Sequence, residues 1–386
     1  MKVGFIADSL LRGKMGSISR YTKIIADNAF REQDVQLVLI AYGQDDLVCH
    51  WYNVLSLSSQ KINEVNRLDK LTLSVVAPRK INAVSLDVLH CPLEFAPPYF
   101  WLVKAKRIVT ILGDTTFTIG REVVPEMFSL GNRLRYFQLR AFRGRVDQFV
   151  TESESVKRGL TNSLDIAADR MKVIHLGVDL KVFRPRSEQE VEEVLAKYEI
   201  CKPYALHISD CRVRKNVPRM MEAFYHIVKE GDLPNFSLVL AGAPGGRHSE
   251  YIKVQQIIHQ RSLDRRVKSL GYVDDSDLPA LYTGATYLVF PSLHEGFGFP
   301  IVESMACGTP VLTSEVYAIP EIAGEAAYYV NPYSVEDISK GMIRLARDTN
   351  LQRELSEKGL QRARQFTSEE SARRHFELYR SVIDGG

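Results

Sequence analysis

The feature that most constrains this chain is a rhythm repeated in its two halves: short apolar runs closed by turn residues, with helical patterns between them. In the first half the runs fall near Val3 to Ala7, Val35 to Ala41, Val88 to His90, Ile108 to Leu112, Gln148 to Thr151 and Val173 to His175. After Phe183-Arg184-Pro185 a second series begins, at Tyr204 to Ile208, Phe236 to Ala241, Val267 to Leu270, Tyr287 to Phe290, Val311 to Thr313 and Ala327 to Tyr329. Helical patterns such as Pro218 to Lys229 and Ile301 to Cys307 intervene, and a polar helix, Ser187 to Tyr198, follows the hinge. Alternation of this kind predicts parallel sheets covered by helices. At 386 residues the chain exceeds what one core usually organises. It therefore reads as two α/β domains, 1–184 and 185–369. Ligands of open α/β sheets bind beyond the carboxyl ends of the strands, so the domains are expected to face each other across a cleft that holds the site.

Composition enters mainly by exclusion. A formal charge of +3 is too small for a protein devoted to neutralising a nucleic-acid backbone. The opening MKVGFIADSLLRGK is interrupted by Asp8 and lacks the apolar region and cleavage site of a signal peptide, and no apolar stretch is long enough to span a bilayer. The five cysteines, Cys49, Cys91, Cys201, Cys211 and Cys307, show neither CxxC spacing nor a compact framework, which favours a reducing compartment and a cytoplasmic reading.

The most informative segment runs from Phe290 to Glu303, FPSLHEGFGFPIVE: a strand end, a glycine loop and a helix start. Gly296 and Gly298 allow close backbone approach, and Pro300 suits a first helical position. The N–H groups around Phe299 to Val302 and the helix dipole would attract an anion such as phosphate. Glu295 and Glu303 lie eight positions apart, on the order of 10 Å from the 1.5 Å helical rise. That is too wide for a retaining-glycosidase pair at about 5 Å. It suits the two ends of a sugar nucleotide, with one carboxylate on the hexose and the other on the ribose. Upstream, His207-Ile208-Ser209-Asp210-Cys211-Arg212-Val213-Arg214-Lys215-Asn216 leaves a strand and gathers cations. Lys215 is the candidate to neutralise the leaving diphosphate, assisted by Arg212 or Arg214. Asp274-Asp275-Ser276-Asp277 superficially contains a DxD metal pattern, but aspartates just before Leu278 read as N-cap and first-turn residues of a helix.

GYVDDSDLPALY followed by FPSLHEGFGFPIVESMACGTPVLTS resembles the family 4 retaining glycosyltransferases of the GT-B fold, in which two Rossmann-like domains face each other across a cleft. The E-x7-E element from Glu295 to Glu303 is specific in that context. Agreement extends through DVLHCP around His90, VTILGD around Asp114, TESESVK around Ser153, HLGVD around Asp179 and RKN around Lys215. The resemblance implies a retained anomeric configuration, no required metal ion and no cofactor, the nucleotide sugar being a substrate. It implies that the closing helix, about 370–386, packs back on the first domain. It makes His90, Glu295 and Lys215 the catalytic set, with His90 near the reacting carbon. Glu295 would meet donor-sugar hydroxyls, Glu303 the ribose and Val273 the base. Backbone donors would come from Phe297, Gly298, Phe299, Ile301 and Val302, with Pro300 in the same turn, and Ser209, Arg212 and Arg214 would flank the diphosphate. Gly16, in the loop from Gly13 to Tyr21, would approach the donor closely. Asp114, Arg12 and Lys14 are the acceptor-side candidates.

The chain departs from the family pattern in carrying Asp210 where many relatives have arginine, and Gly113-Asp114 where an HD pair is usual. Family frequency makes UDP-glucose the expected donor and a saccharide or lipid-linked saccharide the expected acceptor, in polysaccharide biosynthesis. Arg133, Arg135, Arg140, Arg143 and Arg145 accompany Leu134, Phe137, Leu139 and Phe142. That stretch fits either a helix meeting anionic lipid at the inner face of a membrane or a core helix with a solvated arginine face. Two other functions use the same features: a sugar-nucleotide epimerase, and a non-catalytic sugar-nucleotide-binding subunit.

Overall fold

A computed structural model describes residues 1–8, 17–43, 52–61, 64–65, 67–92, 96–113, 137–242 and 249–385. The described residues form two compact units: those up to Gly177 together with those from Ser368 onward, and those from Val178 to Thr367. The division falls at Gly177 and Val178, ahead of the Arg184 read from the sequence. Val178 donates its N–H to the Phe366 carbonyl at 2.9 Å and pairs with Thr367, so it belongs with the second unit.

In the first unit, described residues form β1 (Lys2–Ile6), α1 (Ser17–Ala29), β2 (Gln36–Ala41), β3 (Val54–Ser56), α2 (Arg67–Asn82), β4 (Val88–Cys91), β5 (Lys106–Ile111), β6 (Gln148–Thr151), α3 (Glu154–Leu164) and β7 (Met171–Val173). The sheet is parallel, in the order β3-β2-β1-β4-β5-β6-β7. The short edge strand β3 was not foreseen, since its three residues are half-buried and carry no alternation.

The second unit contains α4 (Glu188–Lys197), β8 (Tyr204–Ile208), α5 (Val217–Glu230), β9 (Ser237–Ala241), α6 (Ser249–Gln260), β10 (Val267–Gly271), α7 (Leu278–Gly284), β11 (Tyr287–Phe290), α8 (Phe299–Ala306), β12 (Val311–Ser314), α9 (Ile319–Ala323), β13 (Ala327–Val330), α10 (Val335–Arg347) and α11 (Thr349–Ala363). Its parallel sheet runs β10-β9-β8-β11-β12-β13. Local chemistry sets many of the ends. Ser187 and Glu190 form a reciprocal capping box on α4, Ser334 caps α10 and Asp348 caps α11. Prolines stand in the opening turns of α5, α7, α8 and α9. Phe224, Met220, Leu238, Val289, Ile338 and Met342 belong to one buried core, each contributing about 1.5–3 kcal/mol by burial.

The chain then returns to the first unit as α12 (Ser368–Asp384), which packs on α1. Arg380 binds Glu32 and Asp34, both at 2.6 Å, at the exposed end of this contact. Inside it runs a hydrogen-bond chain whose direction can be deduced. His375 Nδ1 faces the Ser371 carbonyl at 2.7 Å. A carbonyl only accepts, so Nδ1 carries the proton and Nε2 of the neutral ring accepts from the Tyr21 hydroxyl at 2.6 Å. Tyr21 then accepts from Thr110 at 2.8 Å, Thr110 from His90 Nε2 at 2.7 Å, and His90 Nδ1 from the Tyr379 hydroxyl at 2.7 Å. The chain begins and ends on α12.

This corrects the expectation for His90. Its ring is fully buried, both nitrogens are engaged inside the unit, and burial, with His375 beside it, holds its pKa well below the ordinary value. In this structure it is a core histidine that ties β4 and β5 to α12.

Candidate active site

In the second unit the strand order reverses direction between β8 and β11. From β8 the chain steps outward to β9 and β10, then returns to β11 and steps outward the other way. Loops leaving the carboxyl ends of such a central pair diverge and leave a crevice, where ligands of open α/β sheets bind. The loop after β8 carries Ser209 to Asn216, and the loop after β11 carries Pro291 to Gly298. The two motifs singled out in the sequence, 80 positions apart, thus meet across one pair of hydrogen-bonded strands.

They meet as an ion cluster. Lys215 Nζ lies 2.6 Å from Glu295 Oε1, and Arg214 Nη1 lies 3.3 Å from Oε2. The side chains of Lys215 and Glu295 are only 10% and 7% exposed, and the ammonium also sits 4.8 Å from the Phe290 ring centre. Burial would raise the Glu295 carboxyl, but Lys215 and Arg214 outweigh it and hold the group below the usual carboxylate range. Burial draws the Lys215 amine below its ordinary value against the pull of Glu295, with Arg214 adding to the effect. Two cations on one carboxylate leave a surplus of positive charge in a place of low dielectric. The two arginines take different partners: Arg214 joins Lys215 on Glu295, whereas Arg212 Nε binds Asp210 at 2.9 Å.

Backbone contacts lock the loops around this cluster. Leu293 N–H donates to the Arg214 carbonyl at 2.7 Å. Asn216, in the left-handed region at φ 59°, donates its amide to the carbonyls of Pro291 at 3.0 Å and Pro332 at 2.7 Å, tying together the loops after β8, β11 and β13. Gly242, at φ 120°, closes β9 against the same loop, and a Cβ there would lie 2.1 Å from the Ser209 carbonyl oxygen. Neither Asn216 nor Gly242 was marked as a site residue from the sequence. The asparagine stood inside RKN, but its partners are set by folding alone.

The helix start matches the expected geometry with two refinements. Gly298 is the N-cap of α8 at φ 96°, a conformation that L residues rarely adopt, and Pro300 is the second helical residue, not the first. Phe297, Ile301 and Val302 turn buried side chains into the core, so only their backbone is available to a ligand. Among the expected donors, Pro300 has no N–H, and Ile301 N–H already bonds the Gly298 carbonyl at 3.0 Å. Glu303, 1% exposed, accepts from the Tyr282 hydroxyl at 2.8 Å.

Other assignments change. The Ser209 hydroxyl is committed: His207 Nδ1 donates to the Val289 carbonyl at 2.8 Å, so its Nε2 accepts from Ser209 at 2.7 Å. Ser209 therefore buttresses the site instead of reaching into it. Asp277 occupies the N-cap position of α7 without capping it; its carboxylate accepts from Lys197 Nζ at 2.6 Å and the Tyr198 hydroxyl at 2.8 Å. Val273 is buried just beyond β10. His294, unassigned in the sequence, packs edge-on to Tyr317 with ring centres 4.2 Å apart, and burial pushes its pKa down to about 4 against the opposing pull of Glu295. Gly16, Arg12, Lys14 and Asp114 lie outside the described residues. So do Arg133, Leu134 and Arg135; in the rest of that stretch Leu139 is buried, Phe142 stacks on Trp101 at 4.8 Å and Phe137 is exposed. Among the described residues no helix is long and apolar enough to cross a membrane.

Two family descriptions divide the chain between them: Glycosyl transferases group 1 matches residues 191–362, and Glycosyltransferase Family 4 matches residues 21–182. The O-antigen chain mannosyltransferase B of Escherichia coli is 30% identical over 288 residues, covering 73% of this chain and 73% of its own length. The chain belongs to the family 4-like glycosyltransferases. This glycosyltransferase also matches the serotype-specific mannosyltransferase WbdA of Escherichia coli, at 29% identity over 58% of its length but only 27% of the length of WbdA. Its fold matches Anabaena Alr3699/HepE in complex with UDP-glucose, with a TM-score of 0.79, 18% identity and coverage of 99% and 100% of the two chains. The two parallel-sheet units are those of the GT-B fold, and family membership sets aside the epimerase and the non-catalytic subunit.

Proposed function

We propose that this enzyme moves a hexosyl group from a nucleoside diphosphate sugar to a saccharide or lipid-linked saccharide acceptor in polysaccharide synthesis, with retention of configuration and without a metal ion. The observation that carries the reading is the buried Lys215–Glu295–Arg214 cluster at the strand-order reversal, beside the glycine-capped start of α8. A departing diphosphate needs countercharge that is already in place when the bond breaks, and preorganised cations and amides supply it without reorganisation. On this reading the anomeric carbon–oxygen bond to the β-phosphate breaks. The acceptor hydroxyl forms a bond on the same face, and its proton passes to the leaving phosphate oxygen. Lys215 and Arg214 hold the phosphate charge, Glu295 orients the hexose hydroxyls, and Glu303 takes the ribose. No protein nucleophile is invoked.

For the hexose, the names of the relatives turn the choice from glucose to mannose, since both relatives described above are called mannosyltransferases. UDP-glucose is the second reading, supported by the sequence resemblance and by the UDP-glucose bound in the Anabaena structure. The test is turnover with GDP-mannose, UDP-glucose and ADP-glucose, with and without EDTA, with the anomeric configuration of the product read by NMR from its one-bond carbon–proton coupling at C1. Product of inverted configuration, or activity abolished by EDTA and restored by a divalent ion, would defeat the reading.

A further inference from the structure

We propose that Tyr282 is the positioning residue that presents Glu303 to the ribose of the nucleotide, an inference that rests on the reading of Glu303 given above. The two side chains come from different helices, α7 and α8, and both are buried: Tyr282 is 0% exposed and Glu303 1%. The phenol donates to Glu303 Oε2 at 2.8 Å. A glutamate has three rotatable side-chain bonds, and ordering such a chain has an entropic cost. One charge-assisted bond from a rigid ring meets that cost before the nucleotide arrives, which is how preorganisation improves affinity.

The tyrosine is itself held in place. Its carbonyl accepts from Thr309 Oγ1 at 2.6 Å and from Ala285 N–H at 3.0 Å. Thr309 is fixed in turn by the end of α8, since its N–H donates to the Ser304 carbonyl at 2.9 Å and its carbonyl accepts from Ser304 Oγ at 3.1 Å. The Tyr282 ring meets Phe183 edge-on at 6.3 Å between centres. The helix bearing the carboxylate thus braces the residue that aims it. The braced phenol lies against the oxygen of a carboxylate on the same helix that the glycine loop opens.

The experiment measures dissociation constants by calorimetry for UDP and GDP and for the 2′-deoxy and 3′-deoxy forms of whichever the wild type binds. The proteins are wild type, Tyr282→Phe, Glu303→Gln and the double variant. Tyr282→Phe is expected to weaken the ribonucleotide about tenfold, the scale of a hydrogen bond to a charged group, while leaving the deoxynucleotides within about twofold of wild type and kcat at saturating donor nearly unchanged. Added to Glu303→Gln it should cost nothing further. Equal weakening of ribo- and deoxynucleotides by Tyr282→Phe, or none at all, overturns the proposal. If Glu303→Gln fails to distinguish ribo- from deoxynucleotides, the ribose reading itself falls and takes the proposal with it. Thr309→Val, which keeps the phenol but loosens its anchor, should act in the same direction and more weakly. Wild-type deoxynucleotide affinity in each variant reports that the site is folded.

Discussion

The ammonium of Lys215 and the carboxylate of Glu295 stand 2.6 Å apart, nearly sealed from solvent, although one follows β8 and the other β11. Each is therefore tied to the other's stability, and on the proposed reading to the reaction as well. Lys215→Ala should lower kcat by about 10²–10³-fold through loss of countercharge. It should also destabilise the fold by about 3 kcal/mol, because a buried carboxylate loses its nearer partner. The double variant Lys215→Ala/Glu295→Gln should recover much of the stability, read by urea denaturation, and none of the turnover. Recovery of both would make the pair purely structural.

Acid should unfold this protein earlier than its carboxylates alone require. Burial pushes His207, His294 and His375 down to about 4, whereas an unfolded histidine titrates near 6.5. The unfolded chain therefore binds protons first, so the full contribution is present above pH 6.5 and is lost as pH falls toward 4. At pH 5 each such histidine costs roughly 2 kcal/mol. Melting temperature should fall steadily from pH 7 to pH 5. In His375→Asn, which loses one of these protons, the fall should be shallower, even if the variant starts from a lower value. An unchanged slope would mean that the α12 anchor does not govern it.

Gly242→Ala tests the seat of the β8 loop. At φ 120° with a prospective Cβ 2.1 Å from the Ser209 carbonyl oxygen, the added methyl has only backbone to displace. The cost should exceed about 3 kcal/mol, with donor binding weakened in the protein that remains folded. A wild-type melting temperature in calorimetry would refute the close approach.

Asn216 joins three loops through one amide. Asn216→Gly keeps the left-handed backbone and loses both of these bonds, together with the one its Oδ1 accepts from Arg219, which should cost about 2 kcal/mol. Asn216→Ala should cost about 1 kcal/mol more, the added penalty of a left-handed residue with a Cβ. Chemical denaturation gives the order of the two variants, and both should bind donor more weakly than wild type.

Much of this was legible in the chain because parallel strands buried on both faces write themselves as apolar runs. Tyr204 to Ile208 and Tyr287 to Phe290 were placed to the residue, while β3 was missed because an edge strand of three half-buried residues has no such pattern. The site was legible where chemistry is local: Gly298 before Phe299 and Pro300 announces a helix start, and Glu295 and Lys215 carry unlike charge beside strand ends. His90 was misread because the end of a strand looks the same whether the next layer is ligand or helix. Its partners, Thr110 and Tyr379, come from 20 and 289 positions away. The partners of Ser209 and Asp277 were hidden for the same reason: Asp277 does stand at the N-cap position, but its carboxylate binds Lys197 and Tyr198, and the Ser209 hydroxyl bonds His207, partners that residue spacing does not name.

By itself, then, the sequence determined the periods, the helix caps and the backbone freedom of its glycines, all of which depend on neighbours within a few positions. Tertiary structure alone decided which arginine joins Lys215, which histidines are sealed in the core, and that Tyr282 grips Glu303. A hydrogen bond requires two groups within about 3 Å, and only the folded sheets bring residues so far apart in the chain to that distance.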